Sequence, residues 1–145
     1  VVQIWLDKGD ALNKTGNVDA SEKAFQKALE ISDEVLKNDS SQTSLMLLKG
    51  NALFNLARYD AAVEVYDQVI ETASPNSRHV SSAWIGKGRA LQALGRNEEA
   101  LEAYRQALEI NPTLIEAWQG KGESQKALGR ARDASLSFYV AEKLG

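Results

Sequence analysis

Residues Trp84 to Pro112 read WIGKGRALQALGRNEEALEAYRQALEINP. Trp84, Gly88 and Leu91 fall at i, i+4 and i+7, the spacing of one face of a helix. Gly95 is suited to end that helix, because glycine tolerates the left-handed cap conformation. Asn97, Glu98 and Glu99 open a second helix with negative charge near its positive end. Ala100, Leu101, Ala103, Tyr104, Ala107, Leu108 and Ile110 give it a wide apolar stripe, and Asn111-Pro112 stops it. Neither helix can bury its stripe alone, so the two must pack on each other and on neighbours.

The same signals recur along the chain. Trp5, Gly9, Gly16, Phe25 and Ala28 make an earlier copy. Gly50, Ala62 and Tyr66 make the next, with Met46 where the tryptophan would be. Trp118, Gly122, Gly129, Ala134, Phe138 and Ala141 make the fourth. This pattern resembles the tetratricopeptide (TPR) repeat, a helix–turn–helix unit of 34 residues. The resemblance covers nearly the whole chain and implies an all-α solenoid: four antiparallel helix pairs in a right-handed superhelix. The expected repeats are residues 2–37, 43–76, 81–114 and 115–145, forming one array over 1–145.

The spacing between copies is uneven. Gly50 follows Gly9 by 41 residues, seven more than the family period, and seven residues are close to two helical turns. The apolar series Phe25, Leu29, Val35 and Leu36 continues in phase, which predicts a long second helix and then a polar loop at 38–43. Gly88 follows Gly50 by 38 residues, so this connection carries four extra around Ser74-Pro75-Asn76; Gly122 follows at the bare 34. Each glycine is preceded by a lysine (Lys8, Lys49, Lys87, Lys121) where the family commonly has leucine. A lysine stem can lie along apolar surface with its ammonium in water. The three tryptophans, recurring at one position, are expected in the core.

Composition excludes several function classes. The chain has 145 residues, 43% hydrophobic and 26% charged, as a folded domain does. A net charge of -3 argues against nucleic acid, whose binding needs clustered Lys and Arg. No apolar run approaches the roughly 20 residues of a membrane span, so no membrane insertion is expected. There is no cysteine, and the single histidine, His79, has no second His or Cys with which to share a metal. Gly86-Lys87-Gly88 and Gly120-Lys121-Gly122 are not phosphate loops, because that motif needs a hydroxyl after the lysine and a strand before the glycines. No nucleophile, base and orienting group stand together. No catalytic residue, metal or cofactor is expected, and the chain is read as not an enzyme. It begins Val1-Val2 rather than with Met, which reads as a piece of a longer protein; a cytoplasmic location is expected.

In this family the first helix of each pair lines a concave surface where peptides bind. The resemblance therefore implies a protein-interaction scaffold that holds a partner protein or peptide in its groove. Carried over copy by copy, the groove residues are Asp7, Asp10, Leu48, Asn51, Phe54, Asn55, Ile85, Arg89 and Glu123. Leu48, Phe54 and Ile85 are expected to accept apolar anchors, and Asn51 and Asn55 to hold backbone. TPR domains that hold the acidic C-terminal tails of chaperones use a clamp of Lys, Asn and Arg. Of the matching positions here only Asn51 agrees, so chaperone tails are not the expected partner. Two alternatives stand beside the scaffold reading: a recognition arm of a larger, transferase-like enzyme, and a self-associating assembly protein.

The fourth copy departs from the others. Outer-face positions that are Lys23, Gln26 and Lys27, then Glu64, Asp67 and Gln68, then Glu102, Arg105 and Gln106, become Leu136, Tyr139 and Val140. Leu101 and Leu108 on the stacking face become Ser135 and Glu142, as expected of a terminal repeat. Leu136, Tyr139 and Val140 are thus expected to form an interface with a second copy, a homodimer through the C-terminal helix, or with a segment outside this sequence; the rival is a rotated helix that takes them into the core.

Overall fold

Four turns of one kind set the architecture. Gly16, Gly95 and Gly129 take φ of 79°, 74° and 76°. The fourth turn puts Ala57 at φ 57° in the place of a glycine. At each turn two backbone bonds close the preceding helix. Asn17 N–H donates to Leu12 O at 2.9 Å and Gly16 N–H to Asn13 O at 3.0 Å. The pattern repeats with Arg58 to Leu53, Arg96 to Leu91 and Arg130 to Gln125. This is the Schellman closure, in which a left-handed residue reverses the chain and satisfies the last carbonyls.

The computed structural model describes all residues, Val1–Gly145, as eight helices without a strand. They are α1 Val2–Lys14, α2 Val18–Asn38, α3 Thr43–Asn55, α4 Tyr59–Thr72, α5 Arg78–Ala93, α6 Asn97–Ile110, α7 Ile115–Ala127 and α8 Ala131–Leu144. The long second helix is present: α2 runs for 21 residues and stops at Asn38. Asp39 then folds the loop, its carboxylate accepting from the Ser41 N–H at 3.0 Å and held below its ordinary range by the bonds from Ser41. The four extra residues of the α4–α5 connection end in a cap, where Ser77 Oγ accepts from Val80 N–H at 3.3 Å. That cap starts α5 a turn early, giving it 16 residues where α3 and α7 have 13.

Helix pairs are held together by aromatic rings laid on glycines. Phe25 of α2 lies on Gly9 of α1, and Phe138 of α8 lies on Gly122 of α7. Tyr66 of α4 is gripped from two sides, by Gly50 of its own pair and by Gly86 of the next. Tyr104 of α6 is gripped in the same way by Gly88 and Gly120. A Cβ built on Gly50 or Gly88 would fall 2.6 or 2.8 Å from the ring, closer than carbon atoms pack. The Gly-Lys-Gly segment of α5 is therefore a packing device, with one glycine for each of two tyrosines. Tyr66 and Tyr104 are only 1% exposed.

The expectation for the tryptophans is corrected. Trp5, Trp84 and Trp118 are half-buried rather than core. Lysine causes the difference: Lys8, Lys87 and Lys121 place their ammonium groups 4.8, 5.2 and 4.7 Å from the indole centroids. A tryptophan that shares its face with a cation one turn on must keep that face near water. Two seam lysines also tie neighbouring pairs, Lys49 to Asp33 at 2.7 Å and Lys87 to Asp67 at 2.6 Å.

Curvature follows from which helices touch. The backbones of α1 and α3, α3 and α5, and α5 and α7 approach closely, whereas those of the even-numbered helices stay apart. An inner row in contact and an outer row spread apart make a surface that is concave on the odd-numbered side.

Gly88→Ala is expected to cost about 1–3 kcal/mol, as overpacking does, because Tyr104 cannot retreat from a filled core. Ala57→Gly is expected to gain about 1 kcal/mol by relieving a left-handed alanine. Urea unfolding of both variants checks this, and a neutral Gly88→Ala would contradict the ring-on-glycine packing.

Candidate partner-binding site

The inner row presents its polar side chains to the concavity, and Arg89 of α5 is at their centre. Its guanidinium lies 4.6 Å from the centroid of the Phe54 ring of α3. It takes part in none of the chain's ion pairs. Three cavities meet at this residue. One, of about 190 Å³, lies between α1, α3 and α5 and includes Gln3, Asp10, Asn51, Phe54 and Asn55. A second, of about 380 Å³, lies toward α7 and includes Phe54, Gln92, Gln119, Glu116 and Glu123. The third, of about 330 Å³, includes Leu47, Leu48, Asn51, Ser82, Ile85 and Glu116. One cation thus stands among carboxylates from both ends, Asp10 on one side and Glu116 and Glu123 on the other.

Buried tyrosines fix the floor. Tyr66 donates its hydroxyl to Asn51 Oδ1 at 2.7 Å, and Tyr104 donates to Gln92 Oε1 at 2.6 Å. Gln92 Nε2 in turn donates to Gly120 O at 3.0 Å and Ser124 Oγ at 2.9 Å. Gln92 is therefore fully engaged and ties α5 to α7. Burial pushes both phenols well above their ordinary value of 10.0, while Arg89 pulls weakly the other way.

Most of the expected groove residues come together here, though not all in the expected role. Asp10, Asn51, Phe54, Asn55, Arg89 and Glu123 line the cavities around Arg89, and half-buried Leu48 lines one of them. Ile85 is only 8% exposed, so it belongs to the core and offers an edge rather than a socket. Asn51 has its side-chain oxygen occupied by Tyr66, which leaves the amide N–H groups to face a partner. Asp7 lines none of the three cavities; it accepts from Gln3 Nε2 at 2.8 Å and stands exposed at the array's first end. On α8, Leu136 and Tyr139 are exposed, but Val140, farther round the helix, is half-buried.

The sequence reading missed a further cavity, about 680 Å³ at one edge of the groove. It is floored by Ile85, Ile110, Leu114 and Ile115 and rimmed by Arg78, Asn111 and Glu116. The signal was the four-residue insertion before α5. Its extra turn puts Arg78 at the rim of this cavity, opposite the start of α7.

The family model for the tetratricopeptide repeat matches residues 1–73 and again 42–113. The chain belongs to the tetratricopeptide repeat family. Solved structures of MamA proteins share the fold of this TPR array. MamA (41-end) from Desulfovibrio magneticus RS-1 superposes with a TM-score of 0.75 at 23% identity, over 99% of this chain and 75% of that one. MamA AMB-1 gives 0.64 at 26% identity, over 100% of this chain and 79% of that one. Another MamA crystal structure gives 0.72 at 19% identity, over 99% and 91%. No curated protein sequence matches the chain. No helix of the array is long and apolar enough to cross a membrane. The family and its fold are those of a protein–protein interaction scaffold.

Because folding raises both phenol pKa values, their contribution is complete below pH 10, where the unfolded chain also keeps its protons. Above pH 10 only the unfolded phenols ionise, so stability is expected to fall as pH rises. Melting temperatures measured from pH 8 to about 11.5 check this: the decline should be smaller in a Tyr66→Phe, Tyr104→Phe variant. An equal decline in that variant would assign the alkaline loss to other groups.

Proposed function

We propose that the array is a non-catalytic scaffold that holds a partner segment in its concave groove, read out around Arg89. The observation that carries this is an unpaired guanidinium, already stacked on Phe54, at the junction of three cavities. Stacking holds the planar group in place with little entropy left to lose, so it is preorganised for a carboxylate or a backbone carbonyl. Asn51 and Asn55 beside it offer amide donors for a partner's main chain. The apolar contribution comes from Phe54 and the edge of Leu48. Asp10, with Asp7 beyond it, makes the first end of the groove acidic. The partner is therefore expected to run with a basic residue toward α1 and an acidic or carbonyl group at Arg89.

The recognition-arm alternative keeps the same groove and differs in what adjoins the array. Self-association through α8 is favoured by the exposure of Leu136 and Tyr139 and opposed by the like charge at both ends of their stripe.

Capture of partners on the immobilised array, followed by calorimetry with the retained segment, tests the groove. Arg89→Glu is expected to weaken binding by at least about tenfold, the loss typical of a partly desolvated charge contact. Raising the salt concentration should weaken it as well. Unchanged affinity in both measurements would move the site elsewhere on the array.

A further inference from the structure

α8 carries a surface that the groove does not use. Arg132, Leu136, Tyr139 and Lys143 stand at i, i+4, i+7 and i+11, within an arc of about 60° at the helical 3.6 residues per turn. Leu136 is 63% and Tyr139 55% exposed, so the middle of this stripe is apolar and open to solvent. Its two ends are cationic, Arg132 and Lys143 both being exposed. The Lys143 ammonium lies 5.4 Å from the centroid of the Tyr139 ring, so the charge is carried on the apolar surface itself. The carboxylates of α8, Asp133 and Glu142, fall on the two flanks of the stripe rather than along it.

The adjoining seam adds positive charge. In α5, Lys87 reaches across to Asp67 of the preceding outer helix at 2.6 Å. The residue matching Asp67 one repeat later is Arg105, so Lys121 meets a guanidinium where Lys87 meets a carboxylate. Arg105 keeps Glu102 at 3.8 Å, while Lys121 takes part in no ion pair. Burial first and Arg105 second hold the Lys121 ammonium below its ordinary range, with Asp133 acting in the opposite sense.

These charges decide what fits. If a second copy laid its α8 antiparallel on this one, centred between Leu136 and Tyr139, Arg132 would face Lys143 at both ends. A parallel pairing would set Arg132 on Arg132 and Lys143 on Lys143. Both of these pairings, the two that cover Leu136 and Tyr139 fully, oppose cation to cation. We propose that the α8 stripe docks an acidic amphipathic helix of another protein: two apolar side chains one turn apart, with Asp or Glu a turn beyond each of them. The apolar pair would cover Leu136 and Tyr139, and the carboxylates would meet Arg132 and Lys143. So small a contact supports transient rather than permanent association.

Two synthetic helical peptides test this on the full chain by fluorescence anisotropy. They share a pair of leucines one turn apart and differ only in flanks of Glu or of Lys. The Glu peptide is expected to bind and the Lys peptide not. Arg132→Glu with Lys143→Glu should reduce the affinity at least about tenfold. The charge-matched change at the corresponding face of α2, Lys23→Glu with Lys27→Glu, should leave it intact. Tyr139→Ser supplies an independent loss at an exposed position, and circular dichroism verifies that each variant keeps its helices. Failure of the Glu peptide to bind, or equal binding of both peptides, overturns the proposal. So does sedimentation of the unmodified chain as a dimer that Leu136→Lys with Val140→Lys dissolves.

Discussion

The contact on which this array depends is an aromatic ring pressed against the backbone of a glycine. Removing one Cβ from an inner helix lets an outer helix approach by the thickness of a methyl group, and the ring fills that space. The helix-propensity cost of each glycine, about 1 kcal/mol, is offset by burying a side chain as large as tyrosine almost completely. Tyr66 and Tyr104 extend the device because each is held by glycines of two successive pairs. The same atoms that join helices within a repeat therefore also set the step between repeats. Phe25 has no hydroxyl to place, and the position matching Gly86 and Gly120 is there Leu48. Ring type and facing residue change together along the chain.

That dependence explains what was legible in the sequence. Glycines and aromatics at fixed offsets report backbone approach directly, so the eight helices and their turns could be read from spacing. The length of α2 was readable for a related reason: an insertion of about two turns preserves the phase of the apolar face. Depth of burial was less legible, because periodicity names a face without saying how far it is covered. Trp84 kept one side near water since Lys87 occupies its ring, and Ile85 sank into the core since the neighbouring pair closes over it. Ala57 illustrates a different limit. Its backbone is set by the Schellman bonds of Arg58 and Ala57 itself, which impose φ 57° on a residue with no preference for it.

The groove and its hydroxyl network belong to one system. Tyr66 and Tyr104 lie under the groove floor and point their oxygens at Asn51 and Gln92, so two inner-row amides are oriented from below. Charges of opposite sign then stand side by side. Arg89 rests on Phe54, and Asp10, Glu116 and Glu123 line the cavities that meet at it. If a segment binds here as proposed, those carboxylates would disfavour a purely acidic one and favour one of mixed sign.

The spread outer row has a mechanical meaning. Because the backbones of α2, α4, α6 and α8 stay apart, only side-chain bonds at the helix starts, Arg58 to Gln26 and Arg130 to Glu98, link one outer helix to the next. Flexing the array would have to slide Tyr66 against Gly86 and Tyr104 against Gly120, the ring-on-glycine contacts that cross from one pair to the next. The array is in that sense a leaf spring of uneven stiffness: a tyrosine clamped between glycines spans its second and third junctions, and no such contact spans the first. Small rotations at three junctions sum into a change of groove width, and the last junction is further tied where Gln92 bridges α5 to α7. A segment bound in the groove would be gripped more firmly toward α5 and α7 and accommodated toward α1, so the part of it lying on the first pair can vary more freely than the rest.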